Sequence, residues 1–190
     1  MKLTTRDITL AALFAALAAV AAIIVRIGGP IIVPFSLVPF VVMLAGGILG
    51  ARLGALSMAV YVLVGLIGVP VFASAPFGGV AYVLKPTFGF LLSFIFMAFV
   101  IGKALQGNKK PSFIRYVIAL IAGVGVNYLI GLSYMYLILN VYAGKALSVA
   151  KLIEIGFAPF IIFDLIKACL AVFVIKAVLE RLPKSVKTIA

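Results

Sequence analysis

The chain has 190 residues, of which 66% are hydrophobic and 11% charged, with a formal net charge of +12. Soluble domains average roughly 45–50% apolar and ~25% charged residues, so a water-facing globule is excluded and the solvent is lipid. The positive charge does not describe a nucleic-acid-binding face, because the cations fall between hydrophobic runs, where excess Lys and Arg mark cytoplasmic loops and meet an anionic leaflet.

A membrane span needs ~20 mostly apolar residues, and the first is expected over residues 7–25, opened by Thr5 or Asp7 as caps. The apolar run from Ile8 has no convincing cleavage site after it, so it is expected to be a retained span rather than a signal peptide. Arg26-Ile27-Gly28-Gly29-Pro30 predicts a break, followed by an irregular stretch through Pro34 and Pro39. A short second span follows over 40–49, then a tight turn at Gly50-Ala51-Arg52-Leu53-Gly54, then a third span over 55–67.

Residues 68–86 carry Pro70, Ser74, Pro76, Gly78, Gly79, Lys85 and Pro86 yet stay largely apolar. Irregular backbone at membrane depth survives only where it is buried in protein or lines a cavity. The stretch therefore reads as a lid or pocket wall, with an ordinary outer loop as the alternative. A fourth span is expected over 87–105, a basic loop over 106–111, and a long fifth span over 113–140. An outer loop over 142–151 leads to a sixth span over 152–182 that Pro159 interrupts.

On this reading Lys2, Arg6, Arg52, Lys103, Lys109, Lys110, Arg115, Lys176, Arg181, Lys184 and Lys187 lie on one side. Arg26, Lys85, Lys145 and Lys151 lie on the other, and Lys167 falls within a span. The bias puts both termini in the cytoplasm. The expected fold class is an all-α integral membrane protein, a single membrane domain over 1–190 built as a bundle of six transmembrane helices.

Enzyme and metal motifs are missing. There is no His, the four acidic residues are scattered, and no G-x-x-x-x-G-K-[ST] phosphate loop is present, so neither a metal nor a cofactor is expected. Cys169 stands alone and offers no disulfide framework. The costly feature is Asp164 with Lys167 inside the last span. Intramembrane ionisable residues face the protein interior and mark functional sites, and at i and i+3 the two share a helix face. A structural ion pair that pins helices is the alternative. Asn127 and Tyr128, with Ser133, Tyr134 and Tyr136, add polar groups to the fifth span. With Phe72, Phe77, Tyr82 and the Asp–Lys pair they compose an apolar pocket with few polar anchors; singly, each also serves as glue between helices. The first span repeats small residues at Ala11, Ala15, Ala18, Ala19 and Ala22, which let another helix approach closely, either within the chain or on a partner.

The run Gly65-Leu66-Ile67-Gly68-Val69-Pro70-Val71-Phe72-Ala73, then Gly78-Gly79, then Pro86-Thr87-x-Gly89, resembles the BioY family, the biotin-binding S subunits of energy-coupling factor (ECF) transporters. Pro34-Phe35-Ser36-Leu37, ahead of Gly46-Gly47-x-x-Gly50-x-Arg52-x-Gly54, is similar to that family's earlier segment, and Asp164-x-x-Lys167 to its last-helix polar pair. The resemblance implies six helices in the plasma membrane of a prokaryote and capture of biotin from outside. It also implies docking to a membrane T subunit that joins two ATPase subunits, with the alanine-rich first helix, Ala11 to Ala22, as part of the docking face. The chain departs from the family at Val38-Pro39, at Ser74-Ala75-Pro76-Phe77, and at Lys85 and Phe88, which leaves another vitamin as a rival ligand. For biotin, Asp164 would accept from the ureido N–H groups and Lys167 would hold that carboxylate ionised and donate to the ureido oxygen. Phe72, Phe77, Tyr82 and the Gly78-Gly79 loop would cover the rings, and Lys85 or Arg26 would meet the tail.

Overall fold

The computed structural model describes residues 3–32, 36–107 and 111–181, and all of its regular structure is helical. Pro34 and Phe35 of the early motif lie outside the described residues, as do Lys2, Lys109, Lys110, Lys184 and Lys187 of the cation count and residue 182 of the last span. Five helices are long and apolar enough to cross a membrane.

Helix α1 (Thr5–Ile32) opens on a reciprocal capping box. The Thr4 N–H donates to Asp7 Oδ2 at 2.9 Å, and the Asp7 N–H donates to Thr4 Oγ1 at 3.2 Å. The helix runs through the Gly28-Gly29-Pro30 break expected from the sequence and ends at Ile32.

Helix α2 (Val38–Leu66) starts with Pro39 in its first turn, where a missing N–H costs nothing. Gly50 breaks its helical geometry with φ 79°, a conformation a side chain would strain. The chain doubles back there: a Cβ built on Gly54 would lie 2.9 Å from the Ala45 carbonyl oxygen, although nine residues of straight helix would span ~13 Å. Residues 38–49 and 51–66 are thus the two arms of a helical hairpin, as the Gly-rich turn predicts. Glycine also lets α3 approach this hairpin. A Cβ on Gly102 would fall 2.6 Å from Ala51 Cα, and one on Gly46 would fall 2.6 Å from the Ala98 carbonyl oxygen.

Residues 67–87 form a folded cap at the end of the second arm, with a short 3-10 turn at Val80–Leu84. The Gly79 N–H donates to the Gly65 carbonyl at 2.7 Å, the Phe72 N–H to the Phe77 carbonyl at 2.8 Å, and Tyr61 Oη to the Val71 carbonyl at 3.2 Å. Phe72 is fully buried. These ties fold the stretch onto the bundle, and Ala73, Ser74 and Tyr82 line a cavity beneath it.

Helix α3 (Phe88–Leu105) and helix α4 (Phe113–Leu137) are joined near Arg115, whose Nε donates to the Ala104 carbonyl at 2.8 Å and Nη2 to the Gln106 carbonyl at 3.1 Å. These bonds satisfy carbonyls at the end of α3 with a cation of the favourable sign. The chain continues through a π turn at Ile138–Tyr142. The stretch expected as one interrupted sixth span divides at Phe157 into α5 (Val149–Gly156) and α6 (Ala158–Arg181), with Pro159 in the first turn of α6. Helix α1 packs on α2, and α6 packs on α2 and α4.

Candidate small-molecule site

A cavity of about 340 Å³ opens beneath the lid, among α2, α3, α4, α5 and α6. Small-molecule sites span about 300–1,000 Å³ and are mostly apolar with a few placed polar groups. Here the apolar wall comes from Val38, Pro39, Phe90, Leu91, Phe94, Met135 and Phe160. Because Ser36, Val38 and Tyr61 all line it, the α2 hairpin is what brings the two ends of one helical element to a single site.

The polar group at its centre is Asp164, 6% exposed. Tyr128 Oη donates to Oδ2 at 2.5 Å and Lys167 Nζ to Oδ1 at 2.5 Å. Lys167 Nζ also donates to the Ser36 carbonyl at 2.9 Å, tying α6 to the start of α2. A carboxylate has about four lone-pair sites and an ammonium three donors. Each partner therefore keeps hydrogen-bonding capacity for a ligand: Asp164 as acceptor, Lys167 as donor. Such charge-assisted bonds are strong, and stronger away from water. The Lys167 ion pair and the Tyr128 hydrogen bond offset the desolvation of Asp164, which alone would be costly at this depth.

Five of the sequence-predicted site residues meet on this lining: Asp164, Lys167, Tyr82, Asn127 and Tyr128. Phe72, Phe77, Gly78, Gly79 and Lys85 lie behind it. Phe72 backs Tyr82, with ring centroids 4.5 Å apart, and Tyr61, 5.7 Å away. Phe77 stacks under the Arg26 guanidinium at 4.8 Å. Gly78 fits where a Cβ would fall 2.5 Å from the Val69 carbonyl oxygen, and Gly79 takes φ 91°. Lys85 Nζ sits 5.5 Å over the Tyr82 ring. Arg26, expected to meet a ligand tail, instead donates from Nη1 to the Pro70 carbonyl at 3.0 Å. Ser36, Ser74 and Thr87, which the sequence marks only within the irregular stretch and the motifs, also lie on the lining, as do Tyr61, Phe90, Phe94, Met135 and Phe160, which it does not single out.

Of the other polar residues of α4, Tyr134 Oη donates to the Val83 carbonyl at 2.5 Å and fastens the lid. Ser133 donates to the Leu129 carbonyl at 2.6 Å within its own helix, and Tyr136 is exposed. The alanine face of α1 packs within this chain. Ala11, Ala15, Ala18 and Ala22 are buried inside this chain and Ala19 is half-buried, so the stripe serves packing within the chain. The small residues that α1 leaves exposed are Ala12 and Ala16, beside Leu13, Leu17 and Val20. Among the described residues no three His, Cys, Asp or Glu side chains gather to hold a metal.

A lidded apolar cavity inside a helical membrane bundle, anchored by one braced ion pair, defines a membrane protein that captures a small molecule. The whole-chain comparisons make the class specific. The BioY family model matches residues 1–184, and the chain belongs to that family. It is 41% identical to the biotin transporter BioY of Thermotoga maritima over 89% of this chain and 93% of that one. It is 39% identical to the probable biotin transporter BioY of Lysinibacillus sphaericus over 89% of this chain and 83% of that one. Among solved structures, the S-component for biotin from an ECF-type ABC transporter superposes with a TM-score of 0.76 at 25% identity, covering 98% of this chain and 99% of the other.

Proposed function

We propose that this chain captures biotin at the outer face of a prokaryotic plasma membrane and delivers it inward as the S subunit of an ECF-type ABC transporter. Its partners are then a membrane T subunit and two ATPase subunits, which supply the ATP hydrolysis. The observation that carries the reading is the Asp164–Lys167 pair, braced by Tyr128, on the wall of a cavity of about 340 Å³. Biotin's ureido head offers two N–H donors flanking one carbonyl, which complements an acceptor beside a donor. Its apolar rings suit Phe90, Phe94 and Tyr82. The hydroxyls of Ser74 and Thr87, on the lining at the lid, face the tail carboxylate. A ligand-free assembly protein would have the ion pair without a cavity beside it.

The proposed topology counts α1, both arms of α2, α3, α4 and α6 as six passes, so that both termini are cytoplasmic. Phe72, Phe77, Gly78, Gly79 and Lys85 act by shaping the lid, while Asp164, Lys167, Asn127, Tyr128 and Tyr82 touch the ligand. Isothermal titration of the detergent-purified chain with biotin, with thiamine and riboflavin as controls, tests the reading. A tight one-to-one complex with biotin alone is expected. Binding of another vitamin in its place would overturn the substrate and keep the architecture.

A further inference from the structure

Among the described residues, α1 places no side chain on the cavity lining, yet it reaches the lid. Arg26, near the C-terminal end of α1, donates from Nη1 to the Pro70 carbonyl at 3.0 Å, and its Cζ lies 4.8 Å from the Phe77 ring centroid. One side chain thus holds both ends of the segment 70–77. Within that segment the Phe72 N–H donates to the Phe77 carbonyl and the Phe77 N–H to the Ser74 carbonyl, each at 2.8 Å. Ala73 and Ser74, at its middle, line the cavity.

Ser74 is both a lining residue and exposed, as are Thr87, Ile155 and Phe160. The mouth of the cavity therefore lies between the lid on one side and α5 with the start of α6 on the other. Segment 70–77 forms one lip of that mouth. The lip is strained as well as tied. Phe77 takes φ 66°, a left-handed conformation that a bulky side chain avoids and that persists only where surrounding contacts impose it. Releasing the Arg26 contacts would leave that strain opposed by fewer ties.

Arg26, Pro70 and Phe77 all lie off the lining, so their mutual contacts gain nothing from a ligand in the cavity. An interaction that does not differ between the bound and free states does not shift the equilibrium between them. We propose that Arg26 is a positioning residue that latches the 70–77 lip shut, and so sets how fast ligand enters and leaves rather than how tightly it is held. The identity of that ligand rests on the biotin reading above; the latch itself does not.

The test compares wild type with Arg26→Ala, each as the detergent-purified full chain, with thermal melts to report folding. Association and dissociation of tritiated biotin are followed by rapid filtration, dissociation being started with excess unlabelled biotin. Loss of a hydrogen bond from a charged donor and of an exposed cation–π contact corresponds to about a 3- to 30-fold change in the opening equilibrium. Both rate constants should rise by that factor, while their ratio, the dissociation constant, should move less than about threefold. Faster dissociation with unchanged association would mean that Arg26 holds the ligand itself, which overturns the proposal, as do two unchanged rates. Hydrogen exchange reads the latch without ligand. The amides of residues 71–79 should exchange about 3- to 30-fold faster in Arg26→Ala, and unaltered exchange there overturns the latch. Failure of the wild type to bind biotin removes the substrate reading instead, and leaves the exchange result to decide the latch. If Arg26→Ala does not fold, Phe77→Ala replaces it. That variant deletes the stack and keeps the hydrogen bond, so both rates should rise by a smaller factor, and no rise again overturns the proposal.

Discussion

Asp164 stands between two donors, Tyr128 Oη and Lys167 Nζ, each at 2.5 Å, so its charge braces the site and, in the proposed function, recognises the ligand. Asp164→Asn keeps the shape and removes the charge, leaving the ureido N–H groups a weaker acceptor and Lys167 without its counter-ion. Truncating one partner of a buried charged contact costs ~2–5 kcal/mol, so biotin affinity should fall about 30- to 4,000-fold. Tyr128→Phe only loosens the carboxylate, and its loss should be smaller, on the order of tenfold. Titration with a parallel melt checks both, and an unchanged dissociation constant for Asp164→Asn would remove the ureido assignment. The ion pair is legible in the sequence because ionisable residues are so costly inside a span that their presence alone marks a site. Phe90, Phe94 and Tyr61 are not. In helices this uniformly apolar, residue type does not say which face looks inward, and only the packing of α2, α3 and α4 does.

At the scale of elements, the sequence locates chain reversals better than it locates ends. The turn at Gly50 is readable because only a glycine tolerates its φ of 79°. The end of α1 is not, because Gly28-Gly29-Pro30 reads as a break and the helix nevertheless continues to Ile32. The alanine stripe shows the same limit, since small residues announce a close approach without naming the approaching helix. The structure assigns Ala11, Ala15, Ala18 and Ala22 to the chain's own interior, so docking to a T subunit through α1 has to use the opposite face. Ala16→Trp, on that exposed face, should abolish uptake by the assembled transporter while leaving the biotin dissociation constant of the isolated chain within about twofold, since surface substitutions away from a site change little. Ala15→Trp should behave differently. Ala15 is buried, and forcing an indole into the α1–α2 contact should lower thermal stability by ~1–3 kcal/mol or more through overpacking. If Ala16→Trp transports normally, α1 does not present the docking face.

At the scale of the molecule, the number of passes and the sidedness are one question, because parity fixes whether the termini share a side. The proposed topology rests on the hairpin. The Gly50–Ala51 turn packs on Gly102 near the end of α3, so Arg52, Lys103 and Arg115 gather at the bundle end opposite the lid. In the proposed topology their cations put that end in the cytoplasm, with Lys145 and Lys151 outside beside the cap. Were α2 one continuous crossing, Arg52 would sit within the hydrocarbon and the termini would fall on opposite sides. Single cysteines separate these arrangements once the native Cys169, itself exposed, is replaced by Ser. Lys145→Cys should react with a membrane-impermeant maleimide on intact cells, whereas Arg52→Cys and Lys103→Cys should react only after permeabilisation. Arg52 is exposed in the turn, so a hairpin at the cytoplasmic surface makes it reactive from that side. A cysteine there that stays unlabelled from either side, while Lys103→Cys labels from within, would mean that α2 crosses as one helix and that the bundle has an odd number of passes.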